Sequence, residues 1–176
     1  SIVTDGLLPN AEIDIVHVNT EFLDIDSRAS DHDPVVASFT FANFSNNVIN
    51  GTASRDHLTG TDDNDLITGF QGRDKITGNG GNDTFVYTSL VDAGDIITDF
   101  EVGMDKIDLS QVLESVGFGG GDPIAFGYIG FRSRRRGTIL TIDPDGISGD
   151  ARSRSLLLAE DITTAALNNP ENFIFN

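Results

Sequence analysis

Residues 51–86 read GTASRDHLT-GTDDNDLIT-GFQGRDKIT-GNGGNDTFV, four consecutive units of nine residues. Gly51, Gly60, Gly69 and Gly78 open the units. Asp56, Asp65, Asp74 and Asp83 stand five positions further on, and Leu58, Ile67, Ile76 and Phe85 two positions after each aspartate. Three matched positions in four successive units would arise by chance in about one such chain in a million. An acidic block with no period would read as a solvated tail. The period excludes that reading.

A nine-residue unit accounts for all three positions. The apolar residue is the middle of a three-residue strand such as His57-Leu58-Thr59, where side chains alternate and only the central one points inward. Residues 51–56 must then reverse the chain, and so tight a turn needs a positive φ, which glycine adopts without steric cost. Two units make one coil. Turns one and three therefore stack on one edge and turns two and four on the other, about 4.8 Å apart as neighbouring strands are. That brings Asp56 beside Asp74 and Asp65 beside Asp83. Carboxylates so close do not all stay ionised without a counter-charge. Carboxylates mixed with backbone carbonyls, all oxygen and adaptable in geometry, suit calcium better than zinc or magnesium. Asp92, nine residues after Asp83, and Asp99, seven further, are expected to close the last turns of ligands. Asp62 reads as solvated surface charge.

The units resemble the nonapeptide Gly-Gly-x-Gly-x-Asp-x-apolar-x of RTX (haemolysin-type) calcium-binding proteins, closely in Gly78-Asn79-Gly80-Gly81-Asn82-Asp83 and Gly69-Phe70-Gln71-Gly72-Arg73-Asp74. The resemblance implies an all-β fold: a parallel β-roll with several Ca2+ ions between stacked turns, capped by a C-terminal β-rich region with one or two short helices. It also implies that turn carbonyls join the aspartates as ligands. These are Thr61 and Asp63, Phe70 and Gly72, Asn79 and Gly81, with the Gly69 and Gly78 carbonyls completing a neighbouring turn's shell. The first turn has a single glycine and an arginine, so Asp56 is expected to hold its ion weakly.

The composition fits a cation binder. The chain has 176 residues, 11 Lys plus Arg against 28 Asp plus Glu, a formal charge of −17 and no cysteine. Disulfides and thiolate metal sites are thereby excluded. No apolar run approaches the roughly 20 residues of a membrane span, so no membrane insertion is expected. The negative charge argues against duplex DNA or anionic lipid as a default partner. Ser1 is not followed by a signal peptide, and the natural N-terminus is expected to lie upstream.

Beyond the repeats, Asp95 to Phe100 and Lys106 to Leu109 read as strands, and Ser110 as the cap of a short helix through Val116. Thr138 to Ile142 and Ser155 to Leu158 read as paired strands joined through the turn Asp143-Pro144-Asp145-Gly146. Asp161 to Leu167 reads as a short helix before a final Phe173-Ile174-Phe175. Arg132, Arg134, Arg135 and Arg136 form the only basic cluster, read as a solvated loop or as partners of the chain's own carboxylates. Asp83 to Val86, Asp95 to Phe100, Asp105 to Ser110 and the apolar end resemble the C-terminal target region of proteins exported by type I secretion, as in serralysin-like proteases.

Residues 1–40 differ in character. Ser30-Asp31-His32-Asp33-Pro34, followed by an apolar strand, resembles the closing motif of the endonuclease/exonuclease/phosphatase superfamily. By that resemblance His32 and Asp31 are catalytic in an intact parent, with Mg2+ or Mn2+ in its catalytic domain. The upstream Glu, Asn and second Asp-His unit of that family have no match here, and His17 and His57 read as ordinary strand residues.

The expected organisation is therefore a phosphoesterase or nuclease remnant (1–40), a linker (41–50), a calcium-binding roll (51–99) and a type I secretion target region (100–176). The expected function is a module that folds on calcium outside the cell and carries the secretion signal of a larger secreted enzyme. Its partners are calcium ions and the type I export machinery, with nucleic acid reached only through the missing catalytic domain. The alternatives are phosphodiester hydrolysis through His32 and a rigid spacer in a surface adhesin. Orphaned strands of residues 1–40 leave a homo-oligomer open.

Overall fold

Each inward apolar residue of the repeats is the centre of a short strand, and the strands stack in two columns. The computed structural model describes residues 46–175. The expectations at His17, Asp31 and His32, and for the strands around them, lie outside those residues. Strands β1 (Asn47–Asn50), β2 (His57–Thr59), β3 (Asp65–Thr68), β4 (Lys75–Thr77), β5 (Thr84–Val86), β6 (Asp95–Ile97) and β7 (Lys106–Asp108) alternate between two sheets. Within each sheet successive strands run parallel.

The register makes the core. In one sheet Ile49, Ile67, Phe85 and Ile107 lie over one another. In the other, Leu58, Ile76 and Ile97 do the same. Ile67, Phe85, Ile97 and Ile107 are fully buried, and one apolar cluster is shared by both sheets. Burying each such side chain contributes about 1.5–3 kcal/mol. A strand of three residues has too few backbone bonds to persist alone. The stack supplies the missing partners on both sides.

The C-terminal part finishes both sheets. Helix α1 (Ser110–Ser115) follows β7, then come β8 (Ile129–Arg134), β9 (Gly137–Ile142), β10 (Arg154–Glu160), α2 (Thr164–Leu167) and β11 (Phe173–Ile174). β11 adds in parallel to β7, seating Phe173 over Ile107. Phe173 is also stacked on Phe175, with centroids 5.5 Å apart. β10 adds in parallel to β6, and β9 and β8 extend that sheet antiparallel. The sheet orders are β1-β3-β5-β7-β11 and β2-β4-β6-β10-β9-β8.

Three local expectations are corrected. Ser110 does not cap α1: the N-cap is Leu109, Oδ1 of Asp108 accepts the Ser110 N–H at 2.9 Å, and the Ser110 hydroxyl is buried without a partner. The second short helix begins at Thr164, capped by the Thr163 hydroxyl. The arginine cluster is no loop: Arg132 and Arg134 belong to β8, and only Arg135 and Arg136 form the turn before β9, where Gly137 has a φ of 138°. Arg136 pairs with Glu160.

Candidate metal centre

Two ladders of aspartate run along the roll, one entering each sheet. The Asp56 N–H donates to Asp74 Oδ1 at 2.8 Å, and the Asp74 N–H to Asp95 Oδ1 at 2.9 Å. On the other edge, the Asp65 N–H donates to Asp83 Oδ1 at 2.9 Å, and the Asp83 N–H to Asp105 Oδ1 at 3.0 Å. Each carboxylate thus caps the backbone one full coil below it, leaving its second oxygen for something else.

That second oxygen divides the turns into two kinds. In the first two, threonine follows the opening glycine and satisfies it. The Thr52 N–H and Oγ1 reach Asp56 Oδ2 at 2.6 and 2.9 Å, and the Thr61 N–H reaches Asp65 Oδ2 at 2.6 Å. In the third and fourth turns the second residue is Phe70 or Asn79, each left-handed with φ of 62° and 67°. There Asp74 Oδ2 and Asp83 Oδ2 are buried with no hydrogen-bond partner, as is Asp95 Oδ2. Asp74, Asp83 and Asp95 are each 1% exposed. A buried ionised carboxylate with an orphaned oxygen is costly unless a cation or proton meets it.

The electrostatics agree with the geometry. Burial pushes the Asp83 carboxyl from its ordinary 3.8 up to about 6, against the opposing Asp65 N–H and with the help of the Asp105 charge. Burial likewise pushes Asp95 up to about 7, with the Asp74 charge adding to the rise. Asp74 and Asp105 are raised for the same leading reason. The buried Tyr87 hydroxyl lies beside Asp95, short of good hydrogen-bond geometry, and is held well above its ordinary value by burial first and then by its interaction with that carboxylate.

The opening glycines make the close approach possible. A Cβ on Gly51 would lie 2.5 Å from the Gly69 carbonyl oxygen, and one on Gly60 would strike the Gly78 carbonyl oxygen. Both carbonyls therefore face the turn below. A Cβ on Gly69 would come within 2.7 Å of Asp74 Oδ2.

The other expected ligands fall as follows. The Thr61 carbonyl accepts the Gly80 N–H at 3.2 Å, and the Asp63 carbonyl abuts Gly81 in the turn above, within 2.6 Å of where a Cβ would be. Phe70 is exposed, and Gly72 packs above the Ser54 carbonyl. The Asn79 amide donates to the Gly60 carbonyl at 2.7 Å. Asp99 accepts from the Gly78 and Asn79 N–H groups at 2.9 and 2.8 Å. Asp92 stands off the ladders: its Oδ2 gathers the Thr88 N–H and hydroxyl and the Ser89 N–H, closing its own turn. Among the described residues no three carboxylate or histidine side chains converge on one point. A cation held here would need backbone carbonyls as ligands as well.

Asp95 and Asp105 are the rungs that counting by nine passes over. They stand 21 and 22 residues after their partners, where the strict repeat gives 18. Their signal was present in Asp95-Ile96-Ile97 and Asp105-Lys106-Ile107, which keep the aspartate-x-apolar offset of Asp83-Thr84-Phe85 without the glycine spacing.

Residues 44–126 match the family described as Peptidase M10 serralysin C terminal. Over that stretch the chain is similar to the RTX-type β-roll, a calcium-binding class of module. No curated protein matches the chain. The solution structure of the AlgE6R2 subunit of the Azotobacter vinelandii mannuronan C5-epimerase is 25% identical, with 76% of this chain and 94% of that one covered and a TM-score of 0.50. The AlgE6R3 subunit of the same epimerase is 25% identical, covering 85% of this chain and 86% of that one, with a TM-score of 0.47. The ladder of orphaned carboxylates thus lies within a fold of the β-roll repeat type.

Proposed function

We infer that this chain is a calcium-dependent folding module at the C-terminal side of a larger secreted protein. The observation that carries the reading is the set of buried, unpartnered oxygens of Asp74, Asp83 and Asp95. Calcium supplies the positive charge and the adaptable oxygen coordination that those oxygens lack. Asp74 and Asp95 would hold one edge and Asp83 the other, with the Gly69 and Gly78 carbonyls beside them, whereas both oxygens of Asp105 already accept backbone N–H groups, from Asp83 and Glu101. Asp56 and Asp65, already bonded to threonine, would contribute least.

Without the counter-charge, carboxylate repulsion and desolvation favour the unfolded chain. Where calcium is scarce, as in a cytoplasm, the roll stays open, which suits threading through a type I exporter. Outside the cell, binding to the folded chain alone drives folding by mass action. The secretion role rests on the resemblance of residues 83–86, 95–100, 105–110 and 173–175 to type I target regions. The parent activity, phosphodiester hydrolysis through His32 and Asp31 with Mg2+ or Mn2+, rests on the resemblance of Ser30 to Pro34 alone.

Circular dichroism of the full chain tests the central reading. In chelator the spectrum should be mostly coil, and millimolar calcium should restore the β signal. A spectrum unchanged by either would overturn it.

A further inference from the structure

On a chain this acidic, the cations are segregated. Of the 11 Lys and Arg, Arg28 lies outside the described residues, and nine of the remaining ten sit in, or within two residues of, a strand of the six-stranded sheet. Lys106 is the exception. All nine are exposed, and among the described residues only Arg136 of the nine has a carboxylate partner.

One row crosses the face of that sheet away from the core, residue for residue: His57, Lys75, Ile96, Leu158, Ile139 and Arg132. Its three aliphatic members are partly exposed and line an apolar depression of about 220 Å³. Strand spacing puts Lys75 and Arg132 on either side of that depression, about 19 Å apart.

We propose that this face docks an acidic polypeptide segment, seating aliphatic side chains on Ile96, Leu158 and Ile139 and carboxylates on Lys75 and Arg132. The depression takes a side chain of leucine size, and the flanking cations select against any uncharged or cationic segment of the same shape. An extended segment advancing about 3.4 Å per residue puts its carboxylates about three positions to either side of the aliphatic centre. Nucleic acid is disfavoured because the only ring in the row, His57, stands at its end beyond Lys75 and away from the aliphatic centre, leaving no run of rings on which successive bases could stack. A bilayer is disfavoured because the aliphatic residues line a hollow and do not project. The docking face borders the ladders at Asp95, a buried residue that also lines the depression, and needs the roll to be folded.

The test uses the full chain in millimolar calcium and a fluorescent peptide of three aliphatic residues flanked by two glutamates on each side. Saturable binding is expected, weakened about tenfold or more by the double variant Lys75→Glu/Arg132→Glu, and by the same margin when the peptide's aliphatic centre is replaced by serine. Calcium-restored circular dichroism separates a lost face from a lost fold. If the double variant fails to fold, Arg132→Gln on the edge strand takes its place, with an expected weakening of about threefold. Binding unchanged by these variants, no saturable binding, or tighter binding of oligo-dT or phosphatidylserine vesicles than of the peptide would overturn the proposal.

Discussion

The backbone N–H of Asp83 donates to Oδ1 of Asp105, 22 residues along the chain, at 3.0 Å. With this bond the second ladder runs past the last glycine-led repeat, so the roll is longer than its motif. The same holds for Asp74 and Asp95 on the other edge. Calcium-dependent folding should therefore depend on residues outside the nonapeptides.

Asp95→Asn should raise the calcium concentration at the folding midpoint about tenfold, because the charge that opposes an orphaned Oδ2 is gone while the amide keeps the bond to the Asp74 N–H. Asp92→Asn should shift that midpoint less, because the hydrogen bonds of Asp92 Oδ2 all lie in its own turn and its charge reaches Asp74 and Asp95 only as the smallest contribution to their rise. A calcium titration followed by circular dichroism compares them, and equal shifts would contradict the ladder.

Asp83→Ala should weaken calcium binding more than Asp56→Ala. Asp56 Oδ2 already has two partners in Thr52, whereas Asp83 Oδ2 has none. Calorimetry on the two variants settles the order, and the reverse ranking would count against the division of the turns into satisfied and orphaned kinds.

Acid should partly replace calcium. Burial raises Asp83 to about 6 and Asp95 to about 7, above the ordinary 3.8 of the unfolded chain. A carboxyl raised on folding binds more protons in the folded state, so its contribution is fully present below the unfolded value and is lost as pH rises through the folded value. The calcium-free roll should therefore be most compact near pH 4 and lose structure as pH climbs to about 7. The complementary expectation is proton release when calcium binds near pH 6.5, read by calorimetry in buffers of different ionisation enthalpy. A calcium-free chain whose β signal grew with pH would refute the sign.

Gly60→Ala should cost more than Gly103→Ala. A Cβ on Gly60 strikes the Gly78 carbonyl oxygen and comes within 2.6 Å of Asp65 Oδ2, while one on Gly103 meets nothing within 4 Å. Gly103 has a φ of 85°, so its variant carries backbone strain of about 1–2 kcal/mol and no clash. Gly60 is not left-handed, so its variant carries no such strain, but its Cβ overpacks a backbone carbonyl that has no room to move between stacked turns, at about 3 kcal/mol. Melting in calcium should show the larger loss at Gly60.

Much of this was written in local pattern. The period from Gly51 to Phe85 specifies a short strand, a turn and an inward apolar residue, and these formed where the pattern put them. Asp92 and Asp99 show where counting stops working. The loops at 87–94 and 98–105 are longer than a repeat turn, so a fixed interval from Asp83 lands on residues with other duties. Asp92 binds Thr88 and Ser89, and Asp99 binds the Gly78 and Asn79 N–H groups. The arginines of β8 were opaque for a different reason. An edge strand with charged, solvated side chains has no buried alternation to mark it.

The sequence by itself determined the pitch of the coil, the inward residue of each repeat strand and the acidic lining of the turns, because each depends on neighbours within nine positions. Only the tertiary structure decided that Asp95 and Asp105 continue the ladders, that Phe173 lies over Ile107 and that Lys75, Leu158 and Arg132 share a face. Those relations are set by which parallel or antiparallel strand is hydrogen-bonded to which. Loops of any length can intervene without disturbing that register.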